Sequence, residues 1–200
     1  MSPRLILASQ SAARAAMLGA AGIPFTAMAA LADEERIKSE LRGQNINAAD
    51  CAQALAKAKA LSLSELYPEV LVLGSDQTLE LPDGVMLDKA ENLEALTIQL
   101  GTLSGRTHKL WSAAVIVRGG AQVWSAVECA QLTMRPLSDA FINSYVVRIG
   151  ESVTGCVGGY QIEGEGVQLF SHIEGSHFCI MGLPLLPLLA GLRDLGVLIS

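Results

Sequence analysis

The sequence predicts an α/β protein built on a mixed, partly antiparallel central sheet. Three observations predict it. Short apolar β-rich runs alternate with helical segments, the pattern of strands joined by helical crossovers. Thr107 to Arg118 and Ala121 to Thr133 flank Gly119-Gly120 and read as one long hairpin, which excludes a purely parallel sheet. Half of the 200 residues are hydrophobic and 17% are charged, enough to bury a sizeable core within one domain over residues 1–200.

Each element has a local reason. Leu5 to Ala8 is a short apolar strand, and Ser9 or Ser11 caps the helix after it. Gly22 and Pro24 stop that helix, and Phe25 to Ala29 reads as a second strand. Residues 32–47 are charged and polar, a surface loop or short helix. Ala48 to Leu66, rich in Ala, Leu and Lys, reads as a long helix ended by Pro68. Residues 70–81, VLVLGSDQTLEL, read as a strand, a break at Gly74 to Gln77, and a second strand. Pro82-Asp83-Gly84 is a turn signal, so 78–81 and 85–87 form a hairpin. Glu91 to Leu100 is helical, and the long hairpin follows. Ser138 caps a helix to about Arg148. Residues 150–166 carry six glycines and read as loop. Ser171 to Ile180 reads as a last strand pair, and Leu183 to Leu195 as a terminal helix.

Composition narrows the function. A net charge of −6 argues against a general affinity for nucleic acid, which needs a basic face, yet permits a local cationic pocket. MSPRLILASQ has too short an apolar run for a signal peptide. Pro184 and Pro187 interrupt the most apolar tail segment, so no membrane span is expected. Cys51, Cys129, Cys156 and Cys179 lie far apart without C-x-x-C and read as reduced thiols of a cytosolic protein.

Four segments could carry chemistry. In LASQSAAR (7–14) a strand ends, serines follow and a helix begins, so backbone N–H groups and a helix N-terminus converge where phosphate binds well. Ser9, Ser11 and Arg14 add donors; an ordinary serine cap beside a solvated arginine is the plainer reading. LAKAKA (55–60) puts Lys57 and Lys59 on different helix faces, so one can reach a cleft while the other is solvated. LDKAEN (87–92) offers Lys89 between a hairpin arm and a helix. GYQIEGEG (159–166) places Tyr160 and Glu163 among glycines that permit close approach of a flat ligand. His172 and His177 have poor spacing for zinc on a strand. Walker, G-x-G-x-x-G and G-x-S-x-G signatures are absent.

The order of these segments is more specific than any one of them. LILASQSAAR, the acidic residues 33–35, LAKAKA, GSDQ, Asp88-Lys89, LSGRTH, GGYQIEGEG and IEGSHFCIMGLPLLPL together resemble the Maf family of nucleotide pyrophosphatases over residues 4–196. The resemblance implies an elongated, two-lobed Maf/ITPase-like fold with a cleft between the lobes. It implies hydrolysis of a nucleoside triphosphate to monophosphate and diphosphate with a divalent cation, Mg²⁺ or Mn²⁺. It further implies a cytoplasmic protein acting on a nucleotide, not on nucleic acid or a membrane, for which a homodimer is compatible.

Carried over by position, Asp76 is the proton acceptor, Lys59 and Lys89 are the cleft lysines, and Ser11 and Arg14 belong to the phosphate motif that Ser9 begins. Glu34 is the family's acidic loop residue and would complete a metal site with Asp76 if that loop folds over the cleft; Asp76 then takes the water's proton directly or holds the metal that activates the water, two roles the sequence does not separate. The family usually shows Ser-Pro-Arg-Arg where this chain has Ser11-Ala12-Ala13-Arg14, and Gly-Lys-Pro where it has Asp88-Lys89-Ala90. Gln77 and Glu163 resemble the branch acting on 7-methyl-GTP rather than the dTTP/UTP branch. A carboxylate only accepts hydrogen bonds, so Glu163 suits the paired N1–H and N2–H donors of guanine and opposes the flanking carbonyls of thymine or uracil. The 7-methyl-GTP branch carries a Trp where Ala13 stands, so stacking on a cationic methylated base is not supplied there. The expected activity is thus on a guanine-type or modified nucleotide. The alternatives are a dTTP/UTP pyrophosphatase and a catalytically weak nucleotide-sensing or division-regulating protein.

Overall fold

Leu5, Ile6, Leu7 and Ala8 are all buried, so the first strand must be covered on both faces. This strand, β1 (Leu5–Ala8), lies between two parallel neighbours, β2 (Thr26–Met28) and β3 (Leu71–Glu80). The computed structural model describes residues 5–44 and 46–199. The remaining strands are β4 (Met86–Leu87), β5 (Thr107–Arg118), β6 (Ala121–Met134) and β7 (Phe170–Glu174). The sheet runs β2-β1-β3-β5-β6-β7, with β4 also pairing with β3, and every pair beyond β3 is antiparallel. The mixed α/β fold expected from the alternation and the hairpin is therefore observed.

Helices α1 (Ala12–Ala20), α3 (Ala48–Ser64), α4 (Leu93–Leu103), α5 (Asp139–Ile149), α6 (His177–Ile180) and α7 (Leu185–Asp194) pack on the sheet, and α2 (Glu34–Arg42) lies against α3. Side-chain alternation decides which helix each strand residue meets. Leu5, Leu7, Leu71 and Leu73 pack with Leu18, Leu188 and Leu192 of α1 and α7. Ile6, Ala8 and Val72 pack on the opposite face with Ala52, Ala56 and Ala60 of α3. Each fully buried Leu or Ile contributes roughly 1.5–3 kcal/mol. A third cluster joins Leu79, at the far end of β3, and Leu81, just beyond it, to α4 and α5 through Leu96, Leu100, Ile142 and Tyr145. The two lobes are these packed ends, and β3 passes from one to the other.

The expected break at Gly74 to Gln77 does not occur: β3 is continuous from Leu71 to Glu80. What changes there is its neighbour. On one edge β3 pairs with β1 through Leu73 and resumes with β4 at Leu79, while β5 follows it along the other edge throughout. The polar residues occupy the interval between the two edge partners. Gly74 has a packing role rather than a turn role. A Cβ there would stand 2.0 Å from the Ala56 carbonyl oxygen and 2.7 Å from the Ala60 nitrogen, so its absence lets α3 lie directly on the strand.

Of the two readings open for residues 32–47 the short helix is observed, and one other expectation changes. That helix is α2, with the Asp33 side chain as its N-cap accepting from the Arg36 N–H. Ser171 to Ile180 is not a strand pair. Only β7 forms; Gly175 turns the chain at φ +110°, and one helical turn, α6, follows. The reason lies in the 179–182 carbonyls, which the site takes up instead of a ladder. The glycine-rich stretch is irregular as expected, with 3₁₀ turns at Gly150–Val153 and Glu165–Leu169. The hairpin, Ser138 cap and terminal helix stand close to their expected bounds. None of the described helices is long and apolar enough to cross a membrane.

Candidate active site

The cleft forms where β3 passes between the lobes. It is a cavity of about 450 Å³, within the ordinary range for small-molecule sites. One wall is the β1–α1 turn, Ser9 to Arg14; the floor is Asp76 and Gln77; the far wall is Lys89 with residues 155–163. The residues given site roles from sequence, Ser9, Ser11, Ala13, Arg14, Glu34, Lys59, Asp76, Gln77, Lys89 and Glu163, all line it.

Alternation along β3 separates two roles. Gly74, Asp76 and Thr78 face α3. Thr78 Oγ1 donates to the Ala48 carbonyl at the start of α3, and Lys59 Nζ donates to Asp76 Oδ1 at 3.1 Å. Lys59 also lies 3.0 Å from Glu34 Oε2 on the first turn of α2. One buried ammonium thus joins carboxylates from two different elements. Lys59 reaches this position because its neighbours Ala56 and Ala60 seat α3 on Gly74; Lys57, two residues earlier, is exposed.

Ser75 and Gln77 face the other way. Ser75 Oγ lies within donating distance of the Ala113 and Gly182 carbonyls, at 2.8 and 3.0 Å. Gln77 Nε2 donates toward the Cys179 and Ile180 carbonyls and Ser112 Oγ, at 2.8, 3.1 and 3.0 Å. Ser112 Oγ donates to the Cys179 carbonyl at 2.7 Å. These bonds tie residues 179–182 to the sheet and explain why no strand pair forms there. They also occupy the amide nitrogen of Gln77, so its reach into the cavity is limited to the rest of its side chain.

The tied segment holds Arg14. Its Nε donates to the Gly182 carbonyl at 2.8 Å and one terminal nitrogen donates to Ser9 Oγ at 3.3 Å. Ser11 caps α1, its Oγ accepting from the Arg14 N–H; the loss of such a cap costs about 1 kcal/mol. Among the described residues no carboxylate lies within ion-pair distance of Arg14. Burial is the main influence on this guanidinium and lowers its pKa, while Asp76 and Glu34 oppose the shift. A guanidinium stays charged in such a place, so the wall presents a buried cation with donors left over. That arrangement favours an anion.

Lys89 sits on an exposed turn, fixed by a backbone bridge to Val157 and by Gln99 Nε2 donating to the Asp88 carbonyl at 2.8 Å. Glu163 is exposed, and Ala12 and Ala13 line the same cavity with short side chains. Among the described residues no group of three or more His, Cys, Asp or Glu side chains converges as a metal cage. Glu34 and Asp76 are a two-carboxylate set. That set fits Mg²⁺ or Mn²⁺, which commonly take one or two carboxylates with phosphate and water, and does not fit an all-protein site. Neither His172 nor His177 lines the cavity.

Sequence reasoning missed Gly74, Ser75, Ser112 and the Gly182 carbonyl, which place the charged groups rather than carrying charge themselves. The alternation of Gly74, Asp76 and Thr78 against Ser75 and Gln77 was the available signal.

Comparison with known proteins follows the same lines. The family model described as Maf-like protein matches residues 4–195. A nucleoside triphosphate pyrophosphatase of Sphingopyxis alaskensis is 49% identical over 193 residues, 96% of this chain and 98% of that protein. A 7-methyl-GTP pyrophosphatase of Rhizobium meliloti is 47% identical over 198 residues, 99% of each chain. Among solved structures, a HAM1 protein from Coxiella burnetii covers 65% of this chain and 72% of that one, at 13% identity and a TM-score of 0.43.

Proposed function

This chain belongs to the Maf-like family, and from that premise we propose that it is a nucleoside triphosphate pyrophosphatase acting on a guanine-type nucleotide, with 7-methyl-GTP a candidate. The observation that carries the reading is the meeting of Asp76, Lys59 and Glu34 beside the buried Arg14 in one cleft. The names of the two relatives support the reaction class, and the second supports the candidate base.

The reaction needs water to attack the α-phosphorus and diphosphate to leave. A triphosphate brings about four negative charges, which Arg14, Lys59, Lys89 and the N-terminus of α1 can meet despite the acidic chain. Ser9 and Ser11 add hydroxyl contacts at the same wall. Asp76 is the group that takes the water's proton. Before substrate binds, Asp76 is engaged with Lys59; phosphate oxygens that draw Lys59 toward themselves release it for that task. The new bond joins water oxygen to the α-phosphorus, and the bond from the α-phosphorus to the bridging oxygen breaks. Its electron pair leaves with diphosphate, beside Lys89. Glu34 and Asp76 would hold Mg²⁺ or Mn²⁺, which when bound neutralises charge on the phosphates and on the departing diphosphate.

Base choice falls to the far wall. Glu163, accepting from paired donors, favours guanine over thymine or uracil. Ala13, in the same cavity, adds no ring for the base to stack on. The family resemblance also supports a cytoplasmic enzyme, a single Maf-like domain over the chain, and compatibility with a homodimer.

A panel of nucleoside triphosphates including GTP, 7-methyl-GTP, dTTP and UTP, assayed for diphosphate release with Mg²⁺ and Mn²⁺, tests the reading. Guanine-type substrates should lead. Asp76→Asn should abolish turnover while nucleotide still binds. Preference for dTTP and UTP would remove the Glu163 argument, and retained turnover in Asp76→Asn would remove Asp76 from the chemistry.

A further inference from the structure

His108 lies on β5, outside the groups used above, and is 1% exposed. Its Nε2 and the Tyr160 hydroxyl are 2.6 Å apart, a short bond between the sheet and the glycine-rich far wall. Its Nδ1 is buried without a hydrogen-bond partner among the described residues. A leucine of similar volume would fill this place without the cost of an unsatisfied polar atom. The imidazole is therefore expensive as packing, and its one bond is what it contributes.

Tyr160 is well placed to transmit that contribution. It is 5% exposed, yet it reaches the cavity wall. Its ring meets Phe170 edge-on at 4.8 Å between centroids, and Phe170 also flanks His108 at 6.0 Å. The backbone around Tyr160 is a run of turns, with the Gly159 N–H donating to the Cys156 carbonyl and the Gly164 N–H to the Gln161 carbonyl, both at 3.2 Å. Gly158 and Gly159 both take positive φ, +86° and +70°, and no helix or strand lies between the 3₁₀ turns that end at Val153 and begin at Glu165. Further contacts steady the loop: the Tyr145 hydroxyl to the Gly159 carbonyl at 3.4 Å, the Lys89–Val157 bridge, and Gln161 Nε2 donating to Cys156 Sγ at 3.8 Å. On the side that carries Gln161, Ile162 and Glu163, Ile162 is buried in the core and the Gln161 carbonyl accepts from the Gly164 N–H, while the hydrogen bond from this side to the sheet runs through Tyr160 to His108.

We infer that His108 is a positioning residue for nucleotide recognition: through Tyr160 it fixes the segment 160–163 that forms the base-side wall of the cleft. The inference rests on the proposed nucleotide site. His108 touches no reacting atom. Its effect falls on ground-state binding and base ranking, because Asp76 and Lys59 are held separately by β3 and α3. Burial drives the imidazole pKa down to about 4, so the ring is neutral when the bond is made near neutral pH.

The experiment compares wild type with His108→Phe, Tyr160→Phe, the double variant, and His108→Gln, whose amide can restore a bond at the Nε2 position. For the leading nucleotide, His108→Phe and Tyr160→Phe should each raise KM about tenfold with kcat within about twofold. The double variant should be no worse than either single one, and His108→Gln should recover most of the loss. Hydrogen exchange of residues 156–164 should quicken in the two Phe variants and not in His108→Gln. A lower Tm with unchanged KM, unchanged base ranking and unchanged exchange in this segment would overturn the inference. Wild type that hydrolyses and binds none of the nucleotides would instead sink the nucleotide reading and, with it, the recognition role. In that event the exchange arm alone would still decide whether His108 orders the segment.

Discussion

Replacing Gly74 with alanine tests how the fold builds the site. The new Cβ would stand 2.0 Å from the Ala56 carbonyl oxygen and 2.7 Å from the Ala60 nitrogen. Both are helix backbone, so no side chain can swing away. Van der Waals contact needs about 3.5 Å, and α3 must therefore retreat from β3 by more than about 1 Å. Overpacking of this kind costs about 1–3 kcal/mol of stability. The larger effect should be on turnover. Lys59 is carried on the same helix face and now holds Asp76 at 3.1 Å. Displacement of a catalytic contact by about 1 Å costs on the order of 100-fold in rate. Urea unfolding gives the first quantity and kcat for diphosphate release gives the second. Gly19→Ala is the matched control, since an added Cβ there meets nothing within 4 Å. It should stabilise by about 0.4–1 kcal/mol and leave kcat alone. If Gly74→Ala kept both stability and kcat, the close approach of α3 would have no consequence. Lost stability with unchanged kcat would refute the claim that this contact sets the Lys59–Asp76 pair.

Two other perturbations have defined outcomes. The His108 pKa falls from 6.5 to about 4 on folding, through burial. The unfolded chain therefore binds the extra proton between those values, so stability should fall as pH drops from about 6.5 to about 4, by on the order of 3 kcal/mol in all. Denaturant melts across that range should show the slope in wild type and a shallower one in His108→Gln; equal slopes would contradict it. Glu163→Gln should narrow the ratio of guanine-type to pyrimidine kcat/KM by roughly 10-fold or more, about 1.4 kcal/mol. An unmoved ranking in the same nucleotide panel would take base selection away from this residue.

Much of this architecture was legible in the sequence where one local cause dominates. Ser11 and Ser138 cap helices because a short hydroxyl side chain suits that position, and Gly119-Gly120 turns the hairpin because both take positive φ. The groups gathered in the cleft were also visible, since charged residues in apolar surroundings are conspicuous. Gly74 was misread because a glycine followed by polar residues looks like a turn when only the chain itself is considered. Its cause is a helix from elsewhere lying on the strand. The same holds for Ser171 to Ile180. Its residues suit a strand, but the Cys179, Ile180 and Gly182 carbonyls are taken by Gln77, Ser112, Ser75 and Arg14. His108 was seen only as part of LSGRTH; its bond to Tyr160 spans 52 residues, which no local pattern encodes.

The central claim is that water attacks the α-phosphorus in the cleft floored by Asp76. Hydrolysis of the leading nucleotide in ¹⁸O-labelled water, with mass analysis of both products, tests it most directly. The label should enter the nucleoside monophosphate, with unlabelled diphosphate as the other product. Label in the diphosphate, or release of single orthophosphate, would contradict the account.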